Sequence, residues 1–379
     1  MIKQSLLLKI YEAASMQRWN DQIRMVEITE LDKQAHKMIA AYILGKCEGS
    51  SRSKKNGNIN WIEIIEAGLF EYLQRIILTD LKPPLFYEIK QDKKKYMQLN
   101  QWVYDRISPV ISDLGDNFCT RFRNYLMKPK EDTSRRIVGA AHFYITKWEF
   151  DIISRFNPNG YQINEIKNSI NSEQEKYIDL FCMKKLSHSK NLTAFIDICG
   201  QLRFQIRWSH LYRVPKTSVL GHMLIVAIFS YLFSYITGAD EEKCINNYFT
   251  GLFHDLPEVL TRDIINPVKR SVEGLDGLIK EYEKSEMNKR IYKLIPKKWH
   301  SEMRMYTEYE FENIANRDGA LVKAADDLAA FIEAYLSVKN GIQNENLIFA
   351  MENLRDKYRS KVISGINFDQ IYREFDLTV

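Results

Sequence analysis

Apolar residues recur along this chain at helical spacing and hardly anywhere at the two-residue spacing of a strand. Leu224, Ala227, Ile228, Tyr231, Leu232 and Tyr235 follow the 3.6-residue period, and so do Leu321, Leu328, Phe331, Ile332 and Tyr335. A chain patterned this way is expected to be all-α. Its longest largely apolar run, Met223 to Ile236, has 14 residues, whereas a membrane span needs ~20. That run therefore reads as a core helix, and no membrane partner is expected. A further helical run through Tyr248, Phe249, Leu252 and Phe253 meets Pro257, which has no backbone N–H to give, so the helix is expected to break just after His254-Asp255.

The break matters because of the chemistry beside it. His254 and Asp255 are adjacent, Glu258 follows three residues after Asp255, and Asp263 follows Glu258 by five. A neutral imidazole next to a carboxylate offers a divalent cation one nitrogen and one oxygen but does not complete its shell. Two further candidates lie on predicted amphipathic helices: His222, 32 residues before His254, and Asp326, 72 residues after it. A single histidine on an apolar helix is more often a hydrogen-bonded core residue than a ligand. Four residues in company reverse that expectation and give His222, His254, Asp255 and Asp326 as a metal set.

The first half of the chain repeats the second. Aligned without gaps, Gly68 to Leu85 matches Gly251 to Val268 at six of 18 positions, against about one by chance from average residue usage. Arg18-Trp19 echoes Arg207-Trp208, and Ile137 to His142 echoes Leu321 to Asp326. His36 stands against His222 in the same register. The chemical positions differ, since His254-Asp255 becomes Glu71-Tyr72, Glu258 becomes Arg75 and Asp326 becomes His142. The pattern is that of a duplication whose first half keeps the fold and loses the site. His36, Glu71 and His142 could in principle still hold zinc, although Tyr72 and Arg75 argue against it. A turn at Asn157 to Gly160 and the polar stretch Asn164 to Lys176 divide the chain into a degenerate domain, 1–160, a linker, 161–180, and an active domain, 181–379. Gly45 to Asn58 reads as a flexible surface loop, and Lys90 to Lys95 as a solvated basic face.

Composition narrows the function classes. A net charge of +5 on 379 residues is too mild to imply nucleic acid, and it suits a small anionic substrate. Five scattered cysteines with no Cys-x-x-Cys pair give neither a disulfide framework nor a zinc knuckle, so a reducing cytoplasm is the expected setting. The N-terminal apolar stretch is too short for a signal peptide. No Gly-rich phosphate loop and no serine or cysteine nucleophile motif is present.

The order His222, His254-Asp255, Asp326, together with Glu258-Val259-Leu260-Thr261 through Asp263 to Pro267-Val268-Lys269, resembles the HD-domain metal-dependent phosphohydrolases. Within that superfamily the text is similar to the bacterial 5′-deoxynucleotidase branch, over roughly residues 195–340. Two positions depart from the family pattern: Gly221 stands where an acidic residue is expected, and Arg262 stands where the family has Gly. The resemblance implies two tandem HD-like helical bundles packed as an intramolecular pseudo-dimer. It implies a divalent ion (Mn, Co, Mg or Zn) on His222, His254, Asp255 and Asp326, and removal of the 5′-phosphate from (deoxy)nucleoside monophosphates by a metal-bound hydroxide. Asp255 and Glu258 would be catalytic, with Glu258 moving a proton. Arg207 would fork onto phosphate oxygens, Trp208 would lie against the sugar, Asp263 would accept from its 3′-hydroxyl, and Lys269 would add positive potential. Two alternatives stay open: hydrolysis of nucleoside triphosphates or cyclic dinucleotides, which Arg262 would favour, and a non-catalytic nucleotide-sensing scaffold.

Overall fold

The computed structural model describes residues 2–50, 59–79, 81–264 and 272–375. The first half contains α1 (Gln4–Tyr11), α2 (Glu30–Glu48), α3 (Trp61–Leu78), α4 (Pro83–Gln91), α5 (Lys93–Ile111), α6 (Asp116–Met127), α7 (Thr133–Phe156) and α8 (Ile163–Glu175). The second contains α9 (Phe181–Ser187), α10 (Lys190–Gly200), α11 (Val219–Ile236), α12 (Glu241–Phe253), α13 (Glu258–Thr261), α14 (Leu275–Glu286), α15 (His300–Thr307), α16 (Gly319–Lys339), α17 (Glu345–Lys357) and α18 (Phe368–Arg373). Among the described residues the only sheet is a two-residue antiparallel pair, Val362–Ile363 against Ile366–Asn367. The all-α expectation holds. Side-chain caps fix where the long helices start, with Thr29 bonding the Asp32 amide, Asp132 that of Arg135, Ser218 that of Gly221 and Asp318 that of Leu321.

Two helices form the centre. The apolar α11 is long and apolar enough to cross a membrane by composition, yet 89% of it is buried in the protein, as a helix apolar on every side must be. It packs on α12, α16 and α2. Helix α2 is buried too but carries Glu30, Asp32, Lys33, Gln34, His36 and Lys37 inside, so its burial depends on ion pairs and hydrogen bonds rather than on apolar area alone.

The helices that precede each Arg-Trp pair reach across to the other half of the chain. In α1 the Tyr11 hydroxyl donates to the Ala329 carbonyl of α16 at 2.8 Å, and Gln4 reaches Tyr335 at 3.2 Å. In α10 the Ile196 carbonyl meets the His36 ring of α2 at 2.8 Å, and Asp197 accepts from Trp148 of α7 at 2.8 Å. Each of these helices thus lies against a long helix of the other half. One continuous cluster of buried apolar side chains runs from Ile2 to Phe375 through both halves.

Two expectations fail locally. The stretch 161–180 is not an open linker, since 13 of its residues form α8, whose Ile163 and Ile170 pack with Phe150 of α7. Apolar residues at intervals of seven gave that helix one sticky face within a polar composition. Nor is Gly45 the start of a loop. Helix α2 continues to Glu48, with Cys47 buried and the Glu48 carboxylate accepting from the Cys182 amide at 2.7 Å; residues 51–58 of that expected loop lie outside the described residues.

Candidate metal-dependent active site

Three helix ends bring the predicted ligands together. His222 sits one turn inside α11, placed by the Ser218 cap. His254 closes α12, where Leu256 and Pro257 turn the chain, and Asp326 lies in the second turn of α16. One donor atom from each of His222, His254 and Asp255 falls within 4.8 Å of the others. Asp326 Oδ1 stands 2.9 Å from His222 Nε2 and 3.9 Å from His254 Nε2, while Asp255 Oδ2 lies 3.2 Å from His254 Nε2.

The ring nitrogens are sorted for coordination. His254 Nδ1 donates to the Gly251 carbonyl at 2.8 Å, which leaves its buried Nε2 to face Asp255 and Asp326. A cation at Nε2, whether a proton or a divalent metal, is held there by both carboxylates. Burial works to raise both carboxyls, but the cations beside them win: His254 holds Asp255, and Lys323 holds Asp326, well below the usual carboxylate range. Burial pushes the His254 imidazole down, and Asp255 with Asp326 more than offsets this, holding it up at about 9. His222, His254 and Asp255 have the geometry to hold a divalent ion, and Asp326 lies beside them against His222.

One residue behind the set had no place in the sequence reading. Glu333, fully buried on α16, has Oε1 3.3 Å from His222 Nδ1 and accepts there from Thr217 at 2.9 Å. Its Oε2 accepts from Trp208 Nε1 at 2.9 Å and from Arg207 Nε at 3.3 Å. A single carboxylate thereby orients a metal-type histidine, the arginine and the tryptophan. The available signal was spacing: Glu333 follows Asp326 by seven residues, which places both on one helix face.

Arg207 also points NH1 at Asp255 Oδ2, 3.4 Å away, and the Trp208 amide donates to Asp263 Oδ2 at 3.4 Å. These residues, with Glu258 at the first position of α13, line one cavity of about 1080 Å³ together with His254, Asp255 and Asp326. Lys269 lies outside the described residues. Arg262 is exposed and adopts φ 66, ψ 168, backbone space that glycine occupies freely and other residues enter at a cost of about 1–3 kcal/mol. This gives the family's Gly at that position its physical reason. Gly221 has one as well. A Cβ there would lie 2.9 Å from Leu31 and 3.1 Å from Asp32 Oδ1, so α2 supplies the acidic group that α11 lacks, and the Ser218 hydroxyl donates to it.

The family model described as HD domain matches residues 199–363. Residues 199–363 are thus similar to the HD domain. Among curated proteins, a 5′-deoxynucleotidase of Pectobacterium atrosepticum is 26% identical over 154 residues, 40% of this chain and 76% of the relative. A 5′-deoxynucleotidase of Yersinia pseudotuberculosis is 24% identical over 168 residues, 44% and 83% of the two chains. A 4′-phosphooxetanocin A phosphatase of Priestia megaterium is 31% identical over 83 residues, which span 21% of this chain and less than half, 43%, of that relative.

The HD domain has a geometric counterpart in the first half. Trp19 Nε1 donates to Glu149 at 2.9 Å and Arg18 Nε to the same oxygen at 3.0 Å, as Trp208 and Arg207 do to Glu333. Both tryptophans take positive φ, 55 and 56, and isolated bridges join Gln17 to Thr29 and Ile206 to Ser218. With Thr29 and Ser218 as equivalent caps, the residue at the position of His222 is Lys33, not His36. His36 is one turn further on and bonds Ile196 and Arg203 instead. Lys33 Nζ sits 2.8 Å from His142, which lies 2.7 Å from Glu71, and Lys37 Nζ is 3.2 Å from Glu71. Burial, helped by Arg18, pushes the Lys33 ammonium down to about 7. Lysine side chains fill the space a metal would need, so His36, Glu71 and His142 do not form a ligand set. Among the described residues, the His222, His254, Asp255 group is the one with metal-holding geometry.

Proposed function

We propose that this protein is a metal-dependent phosphohydrolase that removes the 5′-phosphate from nucleoside monophosphates, with 2′-deoxynucleotides preferred. The observation that carries the reading is the cluster of His222, His254 and Asp255 donor atoms, with Asp326 beside them, at a cavity that also holds Arg207, Trp208 and Asp263. The relatives named as 5′-deoxynucleotidases support the substrate class. A divalent ion held by His222, His254, Asp255 and Asp326 would act as a Lewis acid toward phosphate oxygen and lower the pKa of water toward ~7. Arg207, kept extended by Glu333, offers its guanidinium to phosphate oxygens in a forked pair. Glu258 is the group we assign to moving the proton that the leaving sugar oxygen needs. Trp208 presents a flat wall to the sugar, and Asp263 its carboxylate to the 3′-hydroxyl.

Charge favours one phosphate over three. Among the described residues the cavity is lined by nine carboxylates against five Lys or Arg, so each added phosphate would meet net negative potential. Arg262, the residue that kept triphosphates in play, is exposed and does not line the cavity. The deciding experiment is phosphate release from nucleoside mono-, di- and triphosphates, ribo and deoxy, with Mn, Co, Mg or Zn returned to metal-stripped protein. Release from monophosphates, faster for deoxy sugars, is the expected result. Equal rates on both sugars would remove the sugar preference, and release from triphosphates alone would remove the substrate assignment.

We propose further that the halves, 1–160 and 181–379, arose by duplication and pack as an intramolecular pseudo-dimer. The paired Arg-Trp-Glu contacts, the paired bridges and the reciprocal placement of α1 and α10 support this. On that reading the first half is catalytically silent because Lys33 and Lys37 stand in for the cation.

A further inference from the structure

The cavity has walls of opposite character. On one side α14 and the stretch 308–310 bring a charged wall of Asp276, Glu283, Glu308 and Glu310 with Lys280 and Lys284 among them. On the other, α17 contributes Asn346, Phe349, Ala350 and Asn353, followed by Lys357. These positions recur at intervals of three, four and seven, hence on one face of the helix, and none is acidic. The opposite face of α17 buries Leu347 and Met351 against the core.

Lys357 pairs with Asp327, but among the described residues no hydrogen bond or ion pair engages the side chains of Asn346, Phe349 and Asn353. Phe349 is 64% exposed although it lines a concavity. The carboxamides of Asn346 and Asn353 form no hydrogen bond with any described residue. The metal-type ligands and Arg207 fix where a phosphate must lie, and Trp208 with Asp263 fix the sugar. What remains of about 1080 Å³ must take the rest of the substrate. A flat, uncharged heteroaromatic group is repelled by no wall, and the α17 face offers it an exposed ring together with two carboxamides. An aromatic ring stacks on any base, and a carboxamide presents a donor and an acceptor side by side, the pattern that pairs with base edges.

We propose that α17 is the base-recognition wall of the site, with Phe349 stacking on the nucleobase and Asn346 and Asn353 bonding its edge. This rests on the nucleotide-phosphohydrolase reading and adds the subsite that reads the base. Phe349→Ala should raise KM for deoxynucleoside 5′-monophosphates about tenfold, the loss of one stacked base, with kcat little changed. It should leave kcat/KM for 2-deoxyribose 5-phosphate, which has no base, unaltered, and Phe349→Tyr should restore the nucleotide KM. Asn353→Leu should change the ratio of rates among the four bases. Unchanged nucleotide KM in Phe349→Ala, or an equal loss on the base-free ester, would overturn the proposal. If the wild-type protein releases phosphate from no ester, the phosphohydrolase reading fails by itself. Calorimetric titration of the metal-loaded protein with the 5′-methylenephosphonate analogue of deoxyadenosine monophosphate then decides the base wall. Binding about tenfold weaker in Phe349→Ala upholds it, and equal or absent binding in both proteins overturns it.

Discussion

At the scale of single residues, the meeting of His222, His254 and Asp255 was legible in the sequence and the carboxylate behind them was not. His222, His254, Asp255 and Asp326 stood out because histidine and aspartate are rare inside apolar helical runs. Glu333 looked like one more charge on an amphipathic helix; only its contacts with His222, Arg207 and Trp208 give it a role. Glu333→Gln keeps the shape and removes the charge that orients His222. We expect it to weaken metal binding 10- to 100-fold, as loss of such supporting carboxylates does, in protein that remains folded by circular dichroism. Unchanged affinity in a metal titration would mean that Glu333 only fills space.

His254 links the same site to pH. Its imidazole is held at about 9 in the metal-free protein, above the unfolded value of ~6.5. The proton it binds therefore contributes stability in full below ~6.5, and that contribution is lost as pH rises through about 9. A bound metal takes the proton's place. Lys33, pushed down to about 7, has the opposite slope but is the same with and without metal, so it cancels in a difference. The gap in melting temperature between metal-loaded and metal-stripped protein should widen from pH 6.5 to 9, and a constant gap would contradict the assignment.

At the scale of elements, the apolar periodicity gave the helices that carry the site, while their caps and the register between the halves needed geometry. Pairing His36 with His222 matched residue type. The caps Thr29 and Ser218 instead align Lys33 with His222, because three residues along a helix turn a side chain by about 300° and carry it some 4.5 Å. The polar stretch 161–180 misled for a related reason: composition hid the apolar stripe of α8. Close contact between α2 and α11 is where the two halves meet most tightly. Gly221→Asp would set a second buried carboxylate against Asp32, whose own carboxyl burial already pushes up. We expect a loss of roughly 2–4 kcal/mol from crowding and like charge, measured by denaturant unfolding, and partial recovery when Asp32→Gly is added. Additive effects of the two changes would show that the residues do not meet.

At the scale of the whole molecule, the likeness of the two halves was visible in the sequence as six matches in 18 positions, but the contacts between them were not. Tyr11 bonding Ala329, Gln4 bonding Tyr335 and the apolar cluster shared by both halves leave α16, the helix that carries Asp326 and Glu333, dependent on the first half for cover. Deleting residues 1–160 should therefore give insoluble or unstable protein, scored by soluble yield and thermal melting, and a soluble, fully active fragment 180–379 would contradict that dependence.

The central claim is that one metal-dependent site, in the second half alone, does the chemistry. Metal content of the purified protein, measured beside phosphate release from a deoxynucleoside monophosphate, tests it most directly. We predict one divalent ion per chain in the wild-type protein, and loss of both metal and activity in folded Asp255→Ala. Two ions per chain, or an Asp255→Ala protein that is still fully loaded and active, would contradict it.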